Sequence, residues 1–113
     1  VGEIAKSLKT LAKELQVPII ALAQVNREVE KRPDRRPTMS DLSDSSEIEK
    51  EADVVMTLYR DEVYNKDSQE KGIAEVLIAK NRHGPTGQIK AVWRSEFMQF
   101  KDIASYSDDE FYG

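Results

Sequence analysis

Gln24, Lys80 and Arg82 are polar side chains standing where apolar runs end. Pro18-Ile-Ile-Ala-Leu-Ala-Gln24 closes on an amide, and Ile73-Ala-Glu-Val-Leu-Ile-Ala-Lys-Asn-Arg-His-Gly-Pro85 closes on two cations and a histidine. A continuous apolar run of this length predicts a buried strand. In open α/β sheets, ligands sit just beyond the carboxyl ends of such strands. Lys80 and Arg82 are two residues apart, so on an extended segment their side chains point the same way. Two cations can flank one anion, and an arginine can engage a phosphate bidentately. Such a pair can neutralise charge on a transferring phosphoryl group. It equally suits a solvated strand end with two ordinary surface cations. Gln24 offers a neutral amide that can bind a phosphate or a water, or can simply end the strand. His83 reads as a surface turn residue, because no Asp or Cys partner is implied for it.

A second group of polar residues precedes the next apolar run. Arg27, Lys31, Arg32, Arg35 and Arg36 alternate with Glu28, Glu30 and Asp34. The stretch could track a nucleic-acid backbone, or be a mixed-charge mobile loop. Ser43-Asp44-Ser45-Ser46 leads toward a short helix, where free backbone N–H groups can bind phosphate oxygens. Asp44 works against that by charge.

Several classes fall away on composition. The chain has 113 residues, a length for one domain at most. Its apolar share of 39% supports a modest core, and its 34% charged residues imply a strongly solvated surface. The net charge of −4 argues against nucleic-acid binding by bulk positive charge, though local basic patches survive that argument. With no cysteine there is no disulfide frame and no Cys-based zinc site, and a single histidine cannot build a metal cluster alone. This fits a cytoplasmic protein among many others. No apolar run approaches the roughly 20 residues of a membrane span, and no signal peptide is evident. Val1 opens inside a helical pattern, which predicts a piece of a longer protein. Gly84-Pro-Thr-Gly87 with Lys90 is not a phosphate-binding P-loop, because the spacing is wrong and it lies between two predicted strands.

The elements that must position these residues follow from periodicity. Ile4, Leu8, Leu11, Ala12 and Leu15 recur at helical spacing and predict a helix over 3–15, stopped by Pro18. Residues 18–24 follow as a buried strand, and this order suggests α/β winding. Residues 26–45 read as a long polar loop. Ser46 with Glu49 predicts a capping box on a helix over 46–51. Strands are expected at 54–59, 73–80, 88–93 and 97–100, with a polar loop over 60–71 and a turn at 84–87. The end is then an antiparallel hairpin, and the acidic stretch from Tyr106 lacks core-forming residues.

Taken together, the residues resemble the C-terminal half of the RecA-like motor domain of DnaB-type replicative DNA helicases. The resemblance runs through Leu8-Lys-Thr-Leu-Ala-Lys-Glu-Leu15, Val17-Pro-Ile-Ile-Ala-Leu-Ala-Gln-Val-Asn-Arg27 and Arg36-Pro-Thr-Met-Ser-Asp-Leu42. It continues through Ile48-Glu-Lys-Glu-Ala-Asp-Val-Val-Met56, Tyr59-Arg-Asp-Glu-Val-Tyr64, Lys71-Gly-Ile-Ala-Glu75 and Lys80-Asn-Arg-His-Gly-Pro-Thr-Gly87, in the family's order. It implies an α/β fold, the C-terminal portion of a RecA-like P-loop NTPase sheet with a terminal antiparallel hairpin. Residues 1–105 would be the partial motor domain and 106–113 an acidic, flexible tail.

The resemblance also implies a function. The parent would be a homohexameric ring that hydrolyses ATP with Mg²⁺ at subunit interfaces, moves along single-stranded DNA and unwinds duplex. Primase and a helicase loader would be further partners, with no membrane involved. Gln24 looks like the residue contacting the γ-phosphate side of the subunit's own nucleotide. Arg82 looks like the arginine finger reaching the neighbour's nucleotide, with Lys80 on the same phosphates. Asp41-Leu-Ser-Asp-Ser-Ser-Glu-Ile-Glu49 resembles the DNA-binding loop of the ring's channel, which makes Ser43, Asp44 and Ser46 DNA-facing candidates beside Arg27, Arg35 and Arg36. Here the chain departs from the family pattern: Ser43 stands where Arg is usual and Ser46 where Gly is usual. Backbone N–H contacts survive both changes, whereas the electrostatic part is weaker. The alternatives are another RecA-fold repair or recombination ATPase, or a non-catalytic assembly module of the same fold.

The family's P-loop, catalytic Glu and Walker B Asp match nothing in this sequence. The purified 113-residue chain is therefore expected neither to bind nor to hydrolyse ATP appreciably. Detectable ATPase from it would overturn that expectation.

Overall fold

The computed structural model describes residues 2–43 and 45–103. Asp44 and the acidic stretch 106–113 lie outside the described residues. The helix expected over 3–15 is α1, Gly2–Leu15. It ends with Gln16 in the left-handed region at φ 54°, and the Val17 N–H donates back to the Ala12 carbonyl at 3.2 Å. That bond satisfies one of the orphan carbonyls of the last turn, and Pro18 cannot extend the helix. α1 packs against α2, Ser45–Glu51. The helix therefore begins one residue before Ser46, which lies inside it, so the expected Ser46–Glu49 capping box does not start it.

Four strands follow: β1 Val54–Tyr59, β2 Ile73–Asn81, β3 Gly87–Arg94 and β4 Gln99–Lys101. They form one sheet in the order β1-β2-β3-β4, and every neighbouring pair is antiparallel. The antiparallel character expected at the end extends to all four strands. The short helix α3, Asp61–Tyr64, sits in the segment expected as a loop. The alternation of β1 buries Val55, Thr57 and Tyr59 on one face and leaves Val54, Met56 and Leu58 open on the other. Ile89 of β3 is exposed as well, on the side its partner Val76 shares with Leu58.

Residues 17–24 correct the expectation of a buried strand. The segment has no ladder among the described residues, and Ile20 and Leu22 are 85% and 96% exposed. A strand is defined by partners for its N–H and C=O groups, and the four-stranded sheet provides none for this run. Its pairing is confined to a single antiparallel bridge just after it, Val25 with Leu42.

The long polar stretch is ordered rather than open. It contains 3₁₀ turns at Arg27–Lys31 and Met39–Asp41, and Val29 is buried. The Asn26 side chain accepts from the Glu28 N–H at 3.0 Å, starting the first turn. Two bidentate ion pairs then fix the path. Arg32 donates from Nη1 and Nη2 to the two oxygens of Asp41 at 2.8 and 2.9 Å. Arg36 donates from Nε and Nη2 to Glu75 at 3.0 and 2.8 Å, reaching from the loop into β2. The Thr57 hydroxyl adds a buried bond to the Pro37 carbonyl at 2.9 Å. Arg36 also stacks 4.6 Å from the Tyr59 ring centre, Tyr59 stacks on Tyr64, and Arg35 lies 5.1 Å over Tyr64. The result is a column of alternating cation, ring, ring and cation beside the sheet.

The Glu75 side chain is only 4% exposed, so its charge has little water to fall back on. Breaking such a pair from one side leaves an uncompensated buried charge. Arg36→Met is therefore expected to lower unfolding free energy by about 3 kcal/mol in urea denaturation. The double change Arg36→Met with Glu75→Gln is expected to recover a good part of that loss. A single Arg36→Met variant as stable as the parent chain would overturn the assignment.

Candidate functional site

The site is set by an irregularity in one strand pair. β1 and β2 pair Val55 with Lys80 but Met56 with Ile78, so Ala79 is an extra residue in β2. Cross-strand partners share a face of the sheet. Glu75, Leu77 and Lys80 therefore lie with Tyr59, Thr57 and Val55. Strict alternation from Glu75 and Leu77 would have put Ala79 there and Lys80 on the opposite face. One bulge thus re-aims the cationic end of β2 toward α2.

Both cations meet the carboxyl end of that helix. Lys80 Nζ donates to the Glu49 carbonyl. Arg82 Nη2 donates to the Lys50 carbonyl at 2.9 Å, and Nη1 to Asp53 Oδ1 at 2.7 Å. The Arg82 backbone N–H binds the Asp53 carbonyl at 2.8 Å. These are the orphan carbonyls and the negative end of a helix, where cations are favoured. Lys9 of α1 donates to both carboxylate oxygens of Asp53 at 2.7 Å. The Lys9 ammonium, with the Arg82 charge behind it, holds the Asp53 carboxyl below the usual carboxylate range. Lys80 and Arg82 thus donate to neighbouring carbonyls of one helix end. The Arg82 side chain stays 37% exposed. His83 is exposed in the turn that follows. A Cβ on Gly84 would stand 2.7 Å from Asn81 Nδ2, whose own bond to the Pro85 carbonyl shapes this turn.

Gln24 is exposed on the unpaired segment, next to the bridge. Antiparallel pairing of Val25 with Leu42 places the chain at Gln24 beside the chain at Ser43. The Asn26 N–H reinforces this with a 2.7 Å bond to the Asp41 carbonyl. Ser43 and Ser46 are exposed, and Asp44 between them lies outside the described residues. Arg27 is exposed at the start of its 3₁₀ turn. Arg36 is held by Glu75 and Asp34, while Arg35 donates to the Glu30 carbonyl and covers Tyr64. The two arginines therefore serve first to shape the loop.

Sequence reading did not single out Asp53, Lys9 or Glu75, nor the pairing of Arg32 with Asp41. For Glu75 a signal existed, because a lone carboxylate inside an apolar strand requires a buried cation. Asp53 and Lys9 carried none, being ordinary surface charges 44 residues apart. Among the described residues no group of three or more His, Cys, Asp or Glu could hold a metal ion. No described helix is long and apolar enough to cross a membrane.

Comparison with known proteins decides the family. The DnaB-like helicase C terminal domain matches residues 1–102. The chain belongs to that family. It is 51% identical over 108 residues to the replicative DNA helicase DnaB of Pasteurella multocida (strain Pm70), covering 96% of this chain and 23% of that protein. It is 50% identical over 109 residues to DnaB of Geobacillus stearothermophilus, covering 96% of this chain and 24% of that one. The chain thus spans about a quarter of the length of these relatives. Among solved structures, a separately determined ATPase domain superposes with a TM-score of 0.86 at 44% identity, over 90% of this chain and 36% of that one. A DnaB-like replicative helicase, described with its interactions with primase, gives 0.86 and 44% over 90% of this chain and 24% of that one. The mixed α/β chain with its antiparallel sheet is thus a portion of a RecA-like ATPase domain of the DnaB-like family.

The loop of this family member should respond to acid. Arg32 first, then the Thr38 N–H at 2.7 Å, holds the Asp41 carboxyl below its usual range. A carboxyl depressed in the folded state stabilises above its unfolded value and loses that contribution as pH falls through its folded value. The loop is expected to stay closed down to the ordinary Asp value of about 3.9 and to open only as pH falls below it, through the lower folded value. Amide exchange at Thr38 checks this: protection should fall in that acid range, and Asp41→Asn should weaken it at every pH.

Proposed function

We propose that this chain works inside an ATP-dependent replicative DNA helicase, a homohexameric ring moving on single-stranded DNA and separating duplex. The observation that carries the reading is the convergence of Lys80 and Arg82 at one partly exposed helix end, turned there by the bulge at Ala79. A γ-phosphoryl group in transfer spreads charge over its oxygens and in-line partners. Arg82 supplies planar donors to that charge from the neighbouring subunit, and Lys80 supplies a point charge on the same phosphates. A contact in trans requires a heterologous, head-to-tail interface, which closes into a ring. The nucleotide is ATP as its Mg²⁺ complex; the ion neutralises phosphate charge when bound.

Gln24 contacts the γ-phosphate side of the subunit's own nucleotide. Its neutral amide can bind either phosphate or the water that follows hydrolysis. The Val25–Leu42 bridge supports a short route from there to the loop at Ser43 and Ser46. That loop, with Asp44, Arg27, Arg35 and Arg36, forms the DNA-facing group. Ser43, Ser46 and Arg27 offer contacts to the sugar–phosphate backbone, which carry little sequence preference. Arg35 and Arg36 contribute by holding the loop in shape. Primase and a helicase loader are the protein partners, in the cytoplasm.

The test is DNA-stimulated ATPase of the full parent protein, wild type against Arg82→Ala, with the two also mixed in varied ratios. Turnover is expected to fall by about 10³-fold while nucleotide still binds. Small doses of the variant should poison mixed rings, because each finger serves a neighbour. Unchanged turnover would make Arg82 a surface cation and end the mechanistic reading.

A further inference from the structure

We propose that Asp53 is a positioning residue for the Arg82 finger, holding it from within its own subunit. The inference rests on the reading of Arg82 given above. Asp53 follows α2 by two residues and stands immediately before β1. It grips Arg82 twice: its carbonyl accepts from the Arg82 backbone N–H at 2.8 Å, and its carboxylate accepts from Nη1 at 2.7 Å. The Lys50 carbonyl takes Nη2 at 2.9 Å. Backbone and both terminal nitrogens of one arginine are thus fixed by the end of α2 and the residue that leads into β1.

The plain alternative is an exposed ion pair, which is commonly worth little. Three features set this one apart. Asp53 is itself tethered, because Lys9 of α1 donates to both of its oxygens. Lys80, the other cation of the pair, docks on the adjacent Glu49 carbonyl, so both side chains are referenced to the same helix end. The single Asp53 carboxylate is shared by two cations, Lys9 and Arg82. Arginine carries five N–H donors in a rigid fork, and two side-chain bonds leave donors free for phosphate. The Arg82 side chain as a whole is partly exposed. Asp53 therefore holds the guanidinium without consuming its capacity to bind. A carboxylate held in this way reduces the freedom lost when the finger engages a transition state.

Such a role predicts a specific kinetic pattern in the full parent protein. Asp53→Asn keeps size and removes charge. It is expected to lower kcat of the DNA-stimulated ATPase about tenfold, because misplacing a catalytic group costs rate. KM for ATP should stay within about twofold, because the finger acts in the transition state rather than in ground-state binding. Asp53→Glu should restore part of the rate. In an Arg82→Lys background, Asp53→Asn should cost less than about twofold, since the guanidinium it positions is gone. Ring mass measured on each variant confirms that assembly is intact, and nucleotide affinity checks folding of the site.

An unchanged kcat in Asp53→Asn overturns the inference and makes the contact a surface ion pair. An equal tenfold loss in both backgrounds also overturns it, because Asp53 would then act elsewhere than through Arg82. These outcomes are distinct from failure of the finger itself. If Arg82→Ala leaves turnover intact, the underlying reading falls. If Arg82→Ala abolishes turnover while Asp53→Asn is silent, only the positioning role falls.

Discussion

The bidentate pair between Arg36 and Glu75 ties together parts of the chain that have little else in common. Its partners are 39 residues apart, one in a polar loop and one in the second strand of the sheet. Glu75 cannot sit unpaired in a strand next to Ala74, which is fully buried. Arg36 answers that need with a planar fork whose other face lies on the Tyr59 ring. Once Arg36 is fixed, Pro37 is close enough to accept from Thr57, and the chain is delivered to Asp41 and its pair with Arg32. A stretch with eight charged residues in ten, Arg27–Arg36, thereby acquires one path over the sheet. The stability of that path comes from geometry and burial rather than from apolar area.

The path matters because of where it leads. It ends at Leu42, bridged to Val25, and the exposed serines follow at the start of α2. The far end of α2 offers its last carbonyls to Lys80 and Arg82. A seven-residue helix is about 10 Å long, so the two groups of functional candidates lie at opposite ends of one short rigid element. Asp53 closes the same arrangement from the other side, through Lys9 on α1.

The open surfaces fit a chain that spans about a quarter of its relatives. Leu22 and Ile20 are exposed on a run of strand-forming residues, and one face of the sheet presents Val54, Met56 and Leu58 to solvent. The sheet supplies its own antiparallel partners. The run over 18–24 has no strand partner among the described residues. A strand is a property of two segments, and a sequence can mark only one of them.

Local patterning along the chain was enough for the helix over most of 3–15, the four strands within one or two residues, and the chemical types at the ends of the apolar runs. These depend on period and on where polarity breaks, which neighbours along the chain decide. The family came from resemblance, because many short segments agree in order. Folding in three dimensions was needed to turn Lys80 toward the helix, since a one-residue bulge reverses the face without any mark in composition. It was needed equally to pair Arg36 with Glu75 and to join Asp53 to both Lys9 and Arg82. Charged side chains reach any partner that folding brings near, and contacts across 29 to 44 residues leave no period to read.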